Sequence, residues 1–398
     1  MSRQSLRWAG DTRLENLAEQ ISANYRDGNF RIAISGDLLN RLMPPAQTVQ
    51  TDVNDNIAGA EVVGNVTATN RLRVRLFPDR SRIRIGIEAH GDGVSHTAAW
   101  KGPVVFGNRG RFRYLARKLL MIDRRGVRVW RAEADAETEN MVTGVETDFD
   151  VFPILGALVR SIALSKRADE ECFARSVANS RIRRQVTEQL DNGVHKRLAN
   201  AEKHFDKIVL QPLRRLGANP IPVAMETTKK RIIVKYRIAG FTQLGANTPR
   251  PMAMSDSLLS TQMHQSVINN VIQRLDLNDK TYNLRDLYRT VSDKLGATKR
   301  KVPEELPGNV VVQFTKKDPA SVRFADGKAT IVLNIAKLQI GKKLRWYNFS
   351  IAVNYVPDYR TLDAKFIRVP DPDHIDSFIY IDGIRRSGHR MLVAGIFE

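Results

Sequence analysis

Arginine is the side chain with the most chemical character in this sequence. Between Arg71 and Arg131, sixteen basic residues stand against four acidic ones, Asp79, Glu88, Asp92 and Asp123, so this stretch supplies +12 of a net charge of +20. Arg71, Arg73 and Arg75 alternate with Leu72, Val74 and Leu76, and Arg82 and Arg84 alternate with Ile83 and Ile85. On extended backbone, alternation of this kind puts the guanidiniums on one face, and a hairpin at Pro78-Asp79 would bring the two sets together. Arg111 and Arg113 repeat the spacing. A guanidinium pairs bidentately with phosphate or carboxylate. These seven arginines are therefore anion-binding candidates, toward anionic lipid or another amphiphile, nucleic acid or acidic polysaccharide. Like charges facing each other across a sheet repel. Either a bound anion or acidic neighbours from elsewhere in the fold must offset them.

Other reactive residues are sparse. Asp371, Asp373, His374 and Asp376 are of a type that could hold a hard or borderline metal, but Pro370 and Pro372 mark a solvated loop there. His90 and His96 near Asp92 are a weaker grouping. Asp52–Asn56 begins like a calcium loop, yet Ile57 replaces the required glycine and Val63 the closing glutamate. Phosphate-binding, nucleophile-elbow and dinucleotide signatures are lacking. Cys172 is the one cysteine, which excludes an internal disulfide framework and a multi-cysteine metal site. The expectation is a protein that binds rather than catalyses, with no cofactor.

The elements that must carry these residues follow from hydrophobic spacing. Residues 11–26 read as a helix, Phe30–Ile34 as a strand, Leu38–Leu42 as a helical turn, and the stretch to Asn56 as a polar loop. Strands are expected from Ile57 to about Asp150, with Phe112–Ile122 open to a helical reading. From Pro153 to Gly217 the chain is helical. Val186, Leu190, Val194, Leu198 and Phe205 recur there at three- and four-residue steps, as candidates to line an apolar seam against a sheet. A single rod of that length would reach roughly 90 Å, so breaks are expected at Lys166–Glu171 or Asn192-Gly193. The apolar start, Phe149–Leu164, reads as a buried first turn and is too short to span a membrane, and no run of about 18 apolar residues occurs anywhere. After Pro220 the alternation returns, with a helix from Asp256 through Leu275, another over Leu284–Leu295, and strands from Val310 to Val369.

The fold class is therefore α+β: antiparallel, curved sheets packed on a long central helical segment. The chain divides into an N-terminal helix (1–28), a basic β-rich half (29–152), the helical segment (153–217) and a second α+β half (218–398). Both halves place a small helix with a hydrophobic-Asn pair ahead of strands, Leu39-Asn40 in one and Ile268-Asn269 in the other, which leaves a duplicated two-half architecture open. The opening Met1–Trp8 has no apolar core of a secretion signal. This reads as cytoplasmic, or as envelope or periplasm where a signal lies upstream.

With its Ser35-Gly-Asp-Leu-Leu-Asn40 turn, curved-strand sequence and long amphipathic helix followed by strands, the chain resembles the tubular lipid-binding superfamily. That superfamily includes bactericidal/permeability-increasing protein and related bacterial envelope proteins. The resemblance implies a bent sheet wrapped on a long helix, with lipid chains in the seam between them. It carries over no catalytic or ligand residue. The chain also resembles uncharacterised bacterial proteins, which lend it no role. Two functions are thus expected as rivals: a non-enzymatic binder of lipids or anionic amphiphiles with an arginine-rich face, or a binder of nucleic acid or another polyanion.

Overall fold

A computed structural model describes residues 6, 9–57, 59–148, 150, 153–218, 220–240, 243–245, 257–296, 301–358, 365–369, 379–385 and 387–397. The first helix, α1 (Thr12–Tyr25), leads to β1 (Phe30–Ser35) and a short helix α2 (Gly36–Arg41). The first sheet follows: β2 (Gln47–Ile57), β3 (Ala60–Leu76), β4 (Ile83–Lys101), β5 (Val104–Asp123), β6 (Gly126–Val129) and β7 (Glu133–Thr147). It is antiparallel in the order β2-β3-β4-β5, with β6 and β7 both paired to β5. The long helix α3 (Pro153–Phe205) runs on through one π-type turn (Asp206–Leu210) into α4 (Gln211–Arg215). Next come β8 (Pro220–Thr227), β9 (Arg231–Ile238), β10 (Leu259–Met263), α5 (Gln265–Arg274), β11 (Thr281–Asn283) and α6 (Leu284–Lys294). The chain closes with β12 (Val310–Phe314), β13 (Ala320–Ala325), β14 (Lys328–Ile340), β15 (Leu344–Asp358), β16 (Lys365–Val369), β17 (Ile379–Asp382) and α7 (Ser387–Phe397).

A central four-stranded sheet, β10-β1-β9-β8, takes strands from both halves. Around it the halves repeat one unit. β1 and β10 pair antiparallel, and each feeds a capped helix: the Ser35 side chain accepts from the backbone N–H of Leu38, and the His264 side chain from that of Ser266. At the fifth position of each helix stands an asparagine that clamps a later strand. Asn40 accepts from Val74 N at 2.7 Å and donates to Val74 O at 3.0 Å. Asn269 accepts from Val322 N at 2.7 Å and donates to Val322 O at 2.9 Å. One carboxamide thus satisfies both backbone groups of a strand residue, which a buried valine cannot leave unpaired. The duplication is physical, although β2 alone separates clamp and strand in the first half while β11, α6 and β12 intervene in the second.

Two local expectations change and one open reading is settled. The polar stretch before Asn56 is the edge strand β2, whose residues are mostly exposed; with one face on water and no neighbour beyond β3, it needs little apolar content. Phe112–Ile122 is strand, paired along its length with β4. Leu259–Met263 is strand, and the helix begins only after His264; Asp256 lies outside the described residues.

The long helix does not break. α3 runs 53 residues, about 80 Å at 1.5 Å per residue. What supports it is strand length: β4 has 19 residues and β5 has 20, about 65 Å at 3.3 Å each. Gly193 faces open space, so nothing at Asn192-Gly193 forces a bend. The change of register comes ahead of Pro212, which offers no backbone N–H; there Gln211 N bonds Asp206 O in π fashion. A hairpin turn at Asp326-Gly327 joins β13 to β14, with both residues at positive φ (50° and 71°), as a tight primed turn requires.

Removing either clamp orphans a backbone donor and an acceptor. Asn40→Ala and Asn269→Ala are each expected to cost about 1–3 kcal/mol, read as a lower urea midpoint at unchanged slope. An unaltered midpoint in both variants would mean that the clamped strands find other partners.

Candidate ligand groove

The C-terminal part of α3 is seated on the first sheet. Val186, Leu190 and Val194 are buried against Ala89, Ala116, Leu120 and Ala132, with Ile182 and Leu198 packed at the margin. Alanine on the sheet side lets the helix approach closely enough for these aliphatic groups to touch backbone and wall. A buried ion pair fixes the register of this seat. Lys118 is 5% exposed; its ammonium donates to Trp130 O at 2.9 Å and to the Asp191 carboxylate on α3. Asp191 also accepts from the backbone N–H of Ala132 at 3.0 Å. Burial pushes the Asp191 carboxyl up. The Lys118 and Ala132 hydrogen bonds, with the charges of Lys118 and Arg131, outweigh it and hold the group below 3.8.

One row further along β4 and β5 the helix and sheet part. Gly91 pairs with Tyr114 and Gly93 with Phe112. Each ring lies flat over its glycine, so that a methyl group at either position would fall on the ring. A ring laid flat adds wall area but little height toward the helix. Burial, then the Asp92 charge, push the Tyr114 phenol up, and it donates to Asn70 Oδ1. Beyond the rings the inward positions of β4 are Ser95, Thr97 and Ala99, all small. The result is a groove of about 1020 Å³ between α3 and the concave face of β2–β5 and β7.

The groove wall is banded. Nearest the seat are Ala68, Phe112, Ile182 and Val186; then come the polar side chains Ser95, Thr97, Asn108, Thr138 and Asn140; then Val62, Ala99, Val104 and Phe106. On the helix side Ile162, Ala174 and Ala178 face the groove. Across the opening, Arg181 of α3 reaches the edge strand β2. It pairs with the Asp55 carboxylate and donates to Asn56 O at 3.0 Å.

The seam candidates divide by place. Val186 lines the groove, Leu190, Val194 and Leu198 belong to the closed seat, and Phe205 is 43% exposed beyond it. The start of α3 is not buried as expected: Leu155, Leu158, Ile162 and Leu164 are each about half exposed, at 51%, 57%, 51% and 46%. They sit where the helix has left the sheet.

The arginine face is the outer face, opposite the groove, and it is laddered with acids. Arg73 stands across from Glu88, and Arg75 pairs with Glu88 at 3.5 Å. Arg113 lies between Asp92 and Glu137, and Arg111 faces Glu139. Arg82 pairs with Asp79 at 3.6 Å. Arg75 and Arg84 hold the Phe77 ring between them at 5.6 and 5.9 Å, and Arg71 stands opposite His90. The acidic offset comes from Asp79, Glu88 and Asp92 within the stretch itself and from Glu137 and Glu139 of β7. His90, near Glu88 at 3.4 Å, is on this outer face too. The Asp371–Asp376 cluster lies outside the described residues.

No family model and no curated protein matches the chain. Among solved structures, a crystal structure of lipopolysaccharide binding protein superposes on 93% of this chain and 88% of its own, with a TM-score of 0.32 and 9% identity. A likeness at that score carries no inference about ligand. No helix of the described residues is long and apolar enough to cross a membrane.

The Lys118–Asp191 tie yields a stability test. Lys118→Met is expected to cost about 2–4 kcal/mol, less than the roughly 3–5 kcal/mol of a fully buried pair, because the Asp191 side chain is 27% exposed. Since folding lowers the Asp191 pKa, its stabilising contribution is complete above 3.8 and is lost as pH falls through the folded value. The gap between wild type and Asp191→Asn in thermal unfolding should therefore be widest near neutrality and close in acid. A gap independent of pH would remove the ion pair from this account.

Proposed function

We propose that this protein is a non-enzymatic carrier or binder of a lipid or related amphiphile, held between α3 and the first sheet. The observation that supports this reading is the groove itself. At about 1020 Å³ it is at the top of the roughly 300–1,000 Å³ range of small-molecule sites. Its sheet wall carries Val62, Val66, Ala68, Ala99, Phe106 and Phe112 with a neutral polar band among them, and charged residues such as Lys101, Lys166, Arg175 and Arg181 also line it. A close-packed protein interior has few voids larger than a water molecule. A space of this size along one helix face is a feature that selection has kept open or that a ligand fills. The exposed leucines and isoleucine at the start of α3 extend the apolar wall beyond the groove. The outer arginines, set among carboxylates, favour no separate polyanion site.

Filling the groove tests this directly. Ala178→Trp puts an indole into the space from the helix side, and it should abolish uptake of a fluorescent acyl lipid while moving the thermal midpoint little. Native mass spectrometry of gently purified wild-type protein should show a co-purifying amphiphile that the variant lacks. Equal lipid uptake by both proteins would overturn the reading.

A further inference from the structure

The polar band across the middle of the groove has its own chemistry. Cross-strand register stacks Ser95 beside Gly110 and Asn140, and Thr97 beside Asn108. A methyl group at Gly110 would meet Ser95 Oγ and, at 2.6 Å, Asn140 Oδ1, so a hydroxyl and a carboxamide converge over a position left bare of side chain. One row to either side, Asn108 Oδ1 and Thr138 Oγ1 are buried with no hydrogen-bond partner in the structure; the Asn108 amide nitrogen is spent on Phe106 O at 3.1 Å. Buried polar atoms without partners are costly; these two lie beneath the groove surface, in residues that line it. None of these five side chains is ionisable. Of the charged residues along the groove, Arg181 and Asp55 pair across its opening, and Arg111, next to the band in sequence, alternates to the other face opposite Glu139.

From this band we infer that the groove selects a lipid by an uncharged ester or amide linkage placed between apolar segments, and discriminates against a free carboxylate. This rests on the reading of the groove as an amphiphile site. Two adjacent rows on a strand span about 7 Å, the length of an ester with its neighbouring carbon–oxygen group. The Ser95 and Thr97 hydroxyls and the Asn140 amide N–H suit its carbonyl, and the same hydroxyl oxygens can accept from an adjacent hydroxyl. Apolar rows on both sides, Phe112 and Val186 toward the seat and Ala99 and Phe106 toward the opening, take the chains. A carboxylate carried to the same depth would be desolvated with no cation beside it.

Displacement of a neutral dye separates the two ideas. With N-phenylnaphthylamine bound to the full chain, dioctanoylglycerol should displace it at roughly one tenth the concentration of palmitate, which has the same number of acyl carbons; one hydrogen bond is worth about that factor. With dye affinity measured separately for each variant, the ester-over-acid preference, taken as a ratio within one protein, should vanish in Ser95→Ala/Asn140→Ala and be reduced in Thr97→Val. Equal displacement by ester and acid in wild type, or a preference that survives in the double variant, overturns the inference and leaves the groove reading standing. Failure of the dye to bind wild type at all overturns both.

Discussion

Side-chain volume on the inward faces of the sheets decides where this protein is solid and where it is open. At the seat of α3 the sheet presents Ala89, Ala116 and Ala132, and the helix answers with Val186, Leu190 and Val194; small meets large and the gap closes. Two strand rows away the sheet still presents small side chains, but its strands curve off and the helix stays straight. The rings of Tyr114 and Phe112, laid over Gly91 and Gly93, line that divergence without filling it. A helix of 53 residues can bridge the gap only because it is anchored at one end. The Lys118–Asp191 pair is the anchor's polar part: a buried ammonium with two acceptors has one favourable position along the helix, and a one-residue slip would leave it unpaired.

The second half shows the same frame with the opposite filling. Its sheet faces inward with Val310, Val312, Phe314, Ile335, Leu338, Phe349 and Ile351, all nearly fully buried, and α7 closes it with Val393. The clamp is the same in both halves, an asparagine on the first helix holding a valine's backbone. The two halves therefore share the polar joint and differ in their apolar filling. Hydrogen-bond geometry tolerates little variation, whereas a core accepts many combinations of size. One half became the closed core, and the other kept its space.

Much of this was legible in the sequence and some was not, for physical reasons. Strand alternation over 62–76 and 83–87 and the stripe on α3 were readable because each has one buried face. The Asn40 and Asn269 pairing showed only as a faint likeness, since its partners, Val74 and Val322, lie 34 and 53 residues away. Helix continuity could not be judged from local breakers, because the support comes from long strands elsewhere in the chain. The groove left one signal that the periodicity reading passed over: the inward set Gly91, Gly93, Ser95, Thr97 and Ala99 lacks any large side chain over nine consecutive residues. A strand with a buried face normally fills it. One that does not is marking space.

The arginines show a local signal whose surroundings only topology reveals. A basic excess counted from Arg71 to Arg131 stops two residues short of Glu133, Asp135, Glu137 and Glu139, which β7 lays beside β5 on the same face. Cross-strand charge pairs of this kind contribute a few tenths of a kcal/mol each, so their main effect is to remove repulsion that strands rich in arginine would otherwise suffer. Arg117 with Asp135 at 3.6 Å is one such rung. With the outer face set among its own acids, the groove proposed as the ligand site is the inner face, whose middle band carries hydroxyls and carboxamides. On that reading, neutral hydrogen-bonding groups distinguish ligands by the position of a carbonyl or hydroxyl along a chain, which charge alone cannot do.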